Sequence, residues 1–222
     1  FERRLNTMRG TARALRYITV PLRISGRLDD AIDSAVESYE VAARNRIAED
    51  AVLGADMAAS AHFDIGNLDA ALKWLDRANP WAKRVEADYV RHTLTATRAM
   101  IALEHGDLDA VRALVDLGAS AAGKSPIIIH RLYDLSLAVR YALAKGDYET
   151  LQACIAPLMA AVWHVRAFRR QDYFVTTAVF AVAALESRDA ATAWLARYAD
   201  AHRDEGTHPW RELVAAGYLQ KP

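Results

Sequence analysis

The chain carries a single cysteine, Cys154, and no stretch with the alternation of a strand. One thiol excludes an internal disulfide framework and any zinc site built from several cysteines of one chain. It is compatible with a reducing compartment. Proline and glycine are also scarce, six and ten among 222 residues, so few positions interrupt a helix. Neither sign of charge is in excess, because Lys and Arg total 28 and Asp and Glu total 28. That balance removes any bulk attraction to nucleic acid or anionic lipid. The longest weakly polar run, 174–185, falls far short of the roughly 20 residues that span a bilayer. No membrane partner is expected, and the expected location is cytoplasmic. The opening residues Phe1-Glu2-Arg3-Arg4-Leu5 lack the apolar centre of a signal peptide and an initiator Met. The chain therefore reads as a fragment or processed product of something larger.

What the chain does have is one turn stated four times. Ser25-Gly26-Arg27-Leu28-Asp29-Asp30-Ala31, Ile65-Gly66-Asn67-Leu68-Asp69-Ala70-Ala71, His105-Gly106-Asp107-Leu108-Asp109-Ala110 and Lys145-Gly146-Asp147-Tyr148-Glu149-Thr150 place their glycines at a uniform spacing of 40. A weaker fifth copy is Glu186-Ser187-Arg188-Asp189-Ala190-Ala191. A fixed period in this range signals stacked supersecondary units. Glycine supplies the left-handed residue that ends one helix, and the polar residue after it can cap the next. The acidic residue that follows sits where the helix dipole favours negative charge.

The fold expected from this pattern is all-α: about five antiparallel helix pairs stacked as a right-handed α-solenoid over 1–222, treated as one domain. The repeats span about 5–44, 47–78, 81–118, 126–161 and 170–204, and a helix over 209–217 caps the stack with Trp210, Leu213 and Val214. Pro21 is expected to kink or shorten the first helix. Asn79-Pro80-Trp81 marks a stop and restart, so that a long helix runs over 81–105. The partner helix covers 108–117, and 118–126 is the most loop-like segment. Pro157 is expected to bend the helix that begins at Tyr148. The boundary between 160 and 171 carries no Gly or Pro marker.

These turns resemble those of the tetratricopeptide repeat, which has a small residue in its first helix, Gly at the turn and small residues at two points in its second. Ala59, Gly66, Ala71 and Ala78 fit best; Gly26 with Ala31, and Ala99 with Gly106, fit in part. Gly146-Asp147 is followed by Leu151 and Leu158 where small residues are usual. The family unit is 34 residues, so each pair here gains about one and a half turns of helix. Longer units of this kind are similar to helical regions of bacterial signalling proteins, such as large ATP-dependent LuxR-type regulators and diguanylate cyclases with an amino-terminal repeat region. The resemblance implies a non-catalytic binding module, a sensory or regulatory domain. Its first helices would line a concave face with Arg16, Arg23, Asp56, Ser60, Met100, Glu104, Tyr133, Arg140, Phe174 and Thr177. The implied partner is a protein or peptide segment, or a small ligand, with homo-dimerisation as a further arrangement. The Lys and Asn set of the family's carboxylate clamp is missing at the matching positions.

Other constellations compete with this reading. Gly118-Ala119-Ser120-Ala121-Ala122-Gly123-Lys124-Ser125 fits G-x-x-x-x-G-K-[ST], the phosphate-cradling loop. Such a loop joins a buried strand to a helix, whereas here a helix opened by Gly106-Asp107 precedes it. A nucleotide-binding enzyme using this stretch is the alternative from another class; a self-associating structural adaptor is a third. The histidines, His62, His92, His105, His130, His164, His202 and His208, show no helical zinc-protease spacing, and no metal or cofactor is expected. His62 and His130 read as partly buried, and Cys154 as a small hydrophobe on an apolar face. Carboxylate pairs Asp29-Asp30 and Glu49-Asp50 read as helix-start residues. Trp74, Trp81, Trp163, Trp194 and Trp210 read as packing seams. Arg166-Ala167-Phe168-Arg169-Arg170 mixes cationic and aromatic residues but has no counterpart in the other repeats, so direct nucleic-acid binding is not expected.

Overall fold

The computed structural model describes residues 2–122, 128–164 and 171–202. Those residues form ten α-helices and no strand, the all-α fold that the sequence pattern predicts. They are α1 (Glu2–Ile24), α2 (Leu28–Arg44), α3 (Ala48–Asp64), α4 (Leu68–Ala82), α5 (Asp88–Glu104), α6 (Leu108–Ala122), α7 (Ile128–Lys145), α8 (Tyr148–His164), α9 (Gln171–Leu185) and α10 (Arg188–Ala201). The capping helix expected over 209–217 and the basic cluster 166–170 lie outside the described residues. No helix among the described residues is long and apolar enough to cross a membrane. The chain divides into two compact units, Phe1–Ser125 and Pro126–Pro222. In the first, α1 to α4 pack in sequence, α5 packs on α6, and α3 and α4 both touch α5; α1 and α3 also touch directly. In the second, α7 packs on α8 and α9 on α10, with α9 touching both α7 and α8. Each odd-numbered helix within a unit thus meets the next odd-numbered one.

The turns follow from backbone geometry. Gly26, Gly66, Gly106 and Gly146 all have positive φ, 69–78°. At Gly66 the amide donates to Phe63 O at 2.9 Å and the Asn67 amide to His62 O at 2.9 Å. This double closure satisfies helix-end carbonyls that would otherwise lack partners. A Cβ on Gly66 would meet nothing within 4 Å, so the residue is required by its dihedral and not by packing. Capping follows as expected: Asn67 accepts from the Ala70 amide at 3.2 Å, Asp107 from Ala110 at 3.0 Å and Asp147 from Thr150 at 3.0 Å. Ser187 does the same for Ala190 at 3.1 Å. Arg27 occupies the equivalent place without a side-chain cap. The α2–α3 turn uses the same closure with no glycine, and Arg46 there takes φ 56°.

Several expected boundaries move. α4 runs through Pro80 to Ala82, so the break falls at 83–87 and α5 begins at Asp88, not Trp81. The reason is tertiary. Trp81 packs against both apolar clusters of the first unit and its Nε1 donates to Tyr39 Oη at 3.4 Å. Pro80 has no amide to offer the carbonyl four residues before it, and the packing of Trp81 offsets that loss. The new connector is tied by Arg91, whose Nη1 and Nη2 donate to Val85 O at 2.9 Å and Glu86 O at 3.2 Å. α6 extends over Gly118–Ala122, which had read as loop. α1 and α8 continue through Pro21 and Pro157.

The core of the first unit is built from many alanines and few large rings. Ala35, Val52, Ala55, Ala58, Ala59, Ala71, Leu75 and Ile101 are fully buried, with Trp74 edge-on to Tyr39 at 5.4 Å. Small residues let backbones approach, and Gly54 marks the limit: a Cβ there would sit 2.8 Å from Tyr39 N and 2.9 Å from its Cα. Gly54→Ala is therefore expected to cost about 1–3 kcal/mol by overpacking against backbone. Gly66→Ala should cost about 1 kcal/mol, through φ alone. Arg46→Gly should raise stability by a few tenths of a kcal/mol, as relief of φ is partly offset by unfolded-state entropy. Urea midpoints of the three variants check this; an order other than Gly54→Ala lowest and Arg46→Gly highest rejects the account.

Candidate functional site

The polar residues that stand out structurally lie on the facing sides of odd-numbered helices and pair about one repeat apart. Arg13 of α1 donates to Asp50 Oδ1 of α3 at 3.2 Å, and Arg16 Nη1 lies 3.7 Å from the same oxygen. Arg23 holds Asp64 Oδ2 through Nε at 2.6 Å and Nη2 at 2.5 Å. Between α3 and α5, Thr97 donates to Asp56 at 2.7 Å and the Tyr89 hydroxyl donates to Glu49. In the second unit, Arg140 of α7 donates to Thr177 Oγ1 of α9 at 2.7 Å, while Thr177 donates to Tyr173 O at 2.7 Å. The Arg140 guanidinium also stacks over the Tyr173 ring, 3.9 Å from its centroid.

The residues nominated from sequence have distinct fates. Arg16 and Arg23 are buried and ion-paired. Asp56, Ser60 and Thr177 are fully buried, as is Met100 to within 1%. Glu104 is exposed at the end of α5. Tyr133 is buried against Phe174, ring centroids 5.2 Å apart and nearly perpendicular. The structure therefore brings together two nominated pairs, Arg140 with Thr177 and Tyr133 with Phe174. It joins Arg16, Arg23 and Asp56 to residues not nominated: Asp50, Asp64 and Thr97.

Glu49 and Asp50 lie in the first turn of α3, at the helix start as read, but Asp50 is 1% exposed and meets three arginines of α1. Asp29-Asp30 does behave as read, exposed in the first turn of α2, with Asp30 paired to Arg27 at 2.7 Å. The signal that finds the missed partners is the period itself. Asp50, Asp64, Tyr89 and Thr97 lie 37, 41, 40 and 41 positions beyond Arg13, Arg23, Glu49 and Asp56. A buried charge on one odd helix selects its complement one unit along.

The remaining candidates show less chemistry. No group of three or more His, Cys, Asp or Glu that could hold a metal occurs among the described residues. His130 is buried and His62 half-buried, and burial alone holds the His62 imidazole below its usual range. Cys154 is half-buried, with its thiol pushed up by burial and by the charge of Asp147. In the phosphate-loop match, Gly118–Ala122 continue α6 as helix; Gly123, Lys124 and Ser125 lie outside the described residues.

Tyr89 offers a spectroscopic handle on the site. Its hydroxyl is pushed up to about 12, chiefly by burial, then by the hydrogen bond to Glu49 and that carboxylate's charge, against small opposite effects of Arg16 and Arg13. A raised tyrosine pKa stabilises the fold while the hydroxyl is neutral, so its contribution is complete below about pH 10 and is lost between about pH 10 and 12. Subtracting the alkaline absorbance titration of Tyr89→Phe from that of the wild type should leave one phenol ionising near pH 12. A difference titrating near pH 10 would mean that Tyr89 and Glu49 are not engaged.

Comparison of the chain with models of known families, with characterised proteins and with solved structures returns no match, so the functional reading rests on the chain's own residues.

Proposed function

We propose that this chain is a non-catalytic, tetratricopeptide-like repeat module that holds a protein or peptide segment against its odd-numbered helices. In this reading it is the sensory or regulatory part of a cytoplasmic bacterial signalling or transcription-regulatory protein. The observation that carries the proposal is the set of polar pairs one repeat apart, formed by α1 with α3, by α3 with α5, and again by α7 with α9. Side chains committed to one another across helices make a rigid scaffold, and a rigid face binds with less loss of conformational freedom. The balanced net charge supports a protein partner over a nucleic acid.

Arg140 is the residue that tests the face in the second unit. It is half-buried, and its guanidinium is oriented by Thr177 and Tyr173. A partner identified by crosslinking in the source cells should bind Arg140→Gln roughly tenfold or more weakly, as expected for one lost charged hydrogen bond. The circular dichroism spectrum should stay helical. Unchanged affinity would remove this face from the binding surface.

The nucleotide-binding alternative makes the opposite forecast. Titration calorimetry with magnesium ATP or GTP should give no saturable heat, for the wild type and Lys124→Ala alike. Saturable binding abolished by Lys124→Ala would replace this proposal with an enzyme using 118–125.

A further inference from the structure

Three guanidiniums of α1 converge on one carboxylate of α3. Arg9 Nε lies 3.9 Å from Asp50 Oδ2, Arg13 Nε 3.2 Å from Oδ1 and Arg16 Nη1 3.7 Å from Oδ1. Glu49, the neighbouring carboxylate, accepts the hydroxyl of Tyr89 from α5. Three cations thus face two anions, and the cluster retains one positive charge. Hydrogen bonding in the cluster is also incomplete on both sides, since Asp50 Oδ2 is buried without a hydrogen-bond donor among the described residues. Arg16 is only 8% exposed, yet its Nη1 has no hydrogen-bond acceptor among the described residues. Arg13 engages Asp50 through Nε, and no hydrogen bond from its terminal nitrogens to a described residue occurs. A buried guanidinium nitrogen without an acceptor carries a desolvation cost that an incoming anion would offset.

From this geometry we infer that Arg9, Arg13 and Arg16 form a receptor for a side-chain carboxylate of an acidic peptide segment. The inference rests on the peptide-holding reading above and names the chemistry of the peptide. Arg9 and Arg13 supply the reach: their side chains are 45% and 43% exposed, while Asp50, at 2%, fixes them from beneath. The planar fork of Arg13 matches a carboxylate in a two-bond contact. A dianionic phosphate group fits less well than a single carboxylate, because Glu49 and Asp50 at the same site repel further negative charge and only one positive charge is in surplus. Tyr17 adds a surface for the peptide beyond its charge. It is 65% exposed and lies beneath the Arg16 guanidinium, 5.1 Å from its ring centroid.

The test uses the full chain and fluorescence anisotropy of a labelled tetraglutamate peptide, with labelled tetraglutamine as the neutral control. Saturable binding of tetraglutamate and none of tetraglutamine is expected. Arg13→Gln should weaken it about tenfold and Arg9→Gln with Arg13→Gln further, one charge-assisted contact being lost at each step. Both positions are partly exposed, so circular dichroism should remain helical. Arg112→Gln, an exposed arginine of α6, should leave affinity unchanged. The inference is overturned if tetraglutamate does not bind or if Arg112→Gln weakens binding as much as Arg13→Gln. It is also overturned if inorganic phosphate at matched ionic strength competes as well as unlabelled tetraglutamate, which would make the cluster a generic anion site. If tetraglutamate fails while a cellular partner sensitive to Arg140→Gln still binds, this inference falls and the peptide-holding reading stands.

Discussion

A charge buried on one odd-numbered helix is tolerable only if the next such helix brings it a partner, and much of the first unit is arranged around that demand. Leaving either member of a buried ion pair alone costs about 3–5 kcal/mol, a large part of the net stability of a domain. Asp50 under Arg13 and Arg16, and Asp64 on Arg23, therefore act as register marks between α1 and α3. Asp56 with Thr97, and Glu49 with Tyr89, do the same between α3 and α5. An apolar interface of alanines could slide by a turn at small cost. These pairs cannot, because a displaced helix would strand every one of them together.

The alanine-rich core lets neighbouring backbones approach, most closely at Gly54, whose missing Cβ lets α3 lie directly on the backbone of Tyr39 in α2. Large rings then fill what small residues leave. Trp74 and Trp81 meet Tyr39 from different sides. In the second unit the rings carry more of the load: Tyr198 stacks on Trp194 and on His202, and Trp163 meets all three edge-on.

Much of this was legible in the sequence, and the part that was not has a common physical cause. Turns are local: a left-handed Gly, an Asn or Asp cap and an acidic first turn act within a few residues, so α2, α4, α6 and α8 begin at the expected residue. The local preference of Pro80 is outweighed by the packing of the adjacent, half-buried Trp81 against residues of other helices. The propensity of Gly118 is likewise too weak a signal to end α6. The site was half visible. Arg16, Arg23, Asp56, Arg140 and Thr177 were found by position in the repeat, but the position alone did not separate a groove residue from a buried ion pair. Asp50 was missed for a related reason, since a carboxylate in a first turn looks the same whether water or an arginine stands opposite it.

Reading pairs instead of positions separates the two cases. Where charges balance, as at Arg23 with Asp64, the pair ties α1 to α3. Where they do not, as at α1 around Asp50, the scaffold holds a guanidinium in place without using all of its donors. Much of the rotamer entropy of such an arginine is lost on folding, so less remains to be lost when an anion arrives. In the proposed reading, rigidity between helices and readiness to bind an anion thus have one origin.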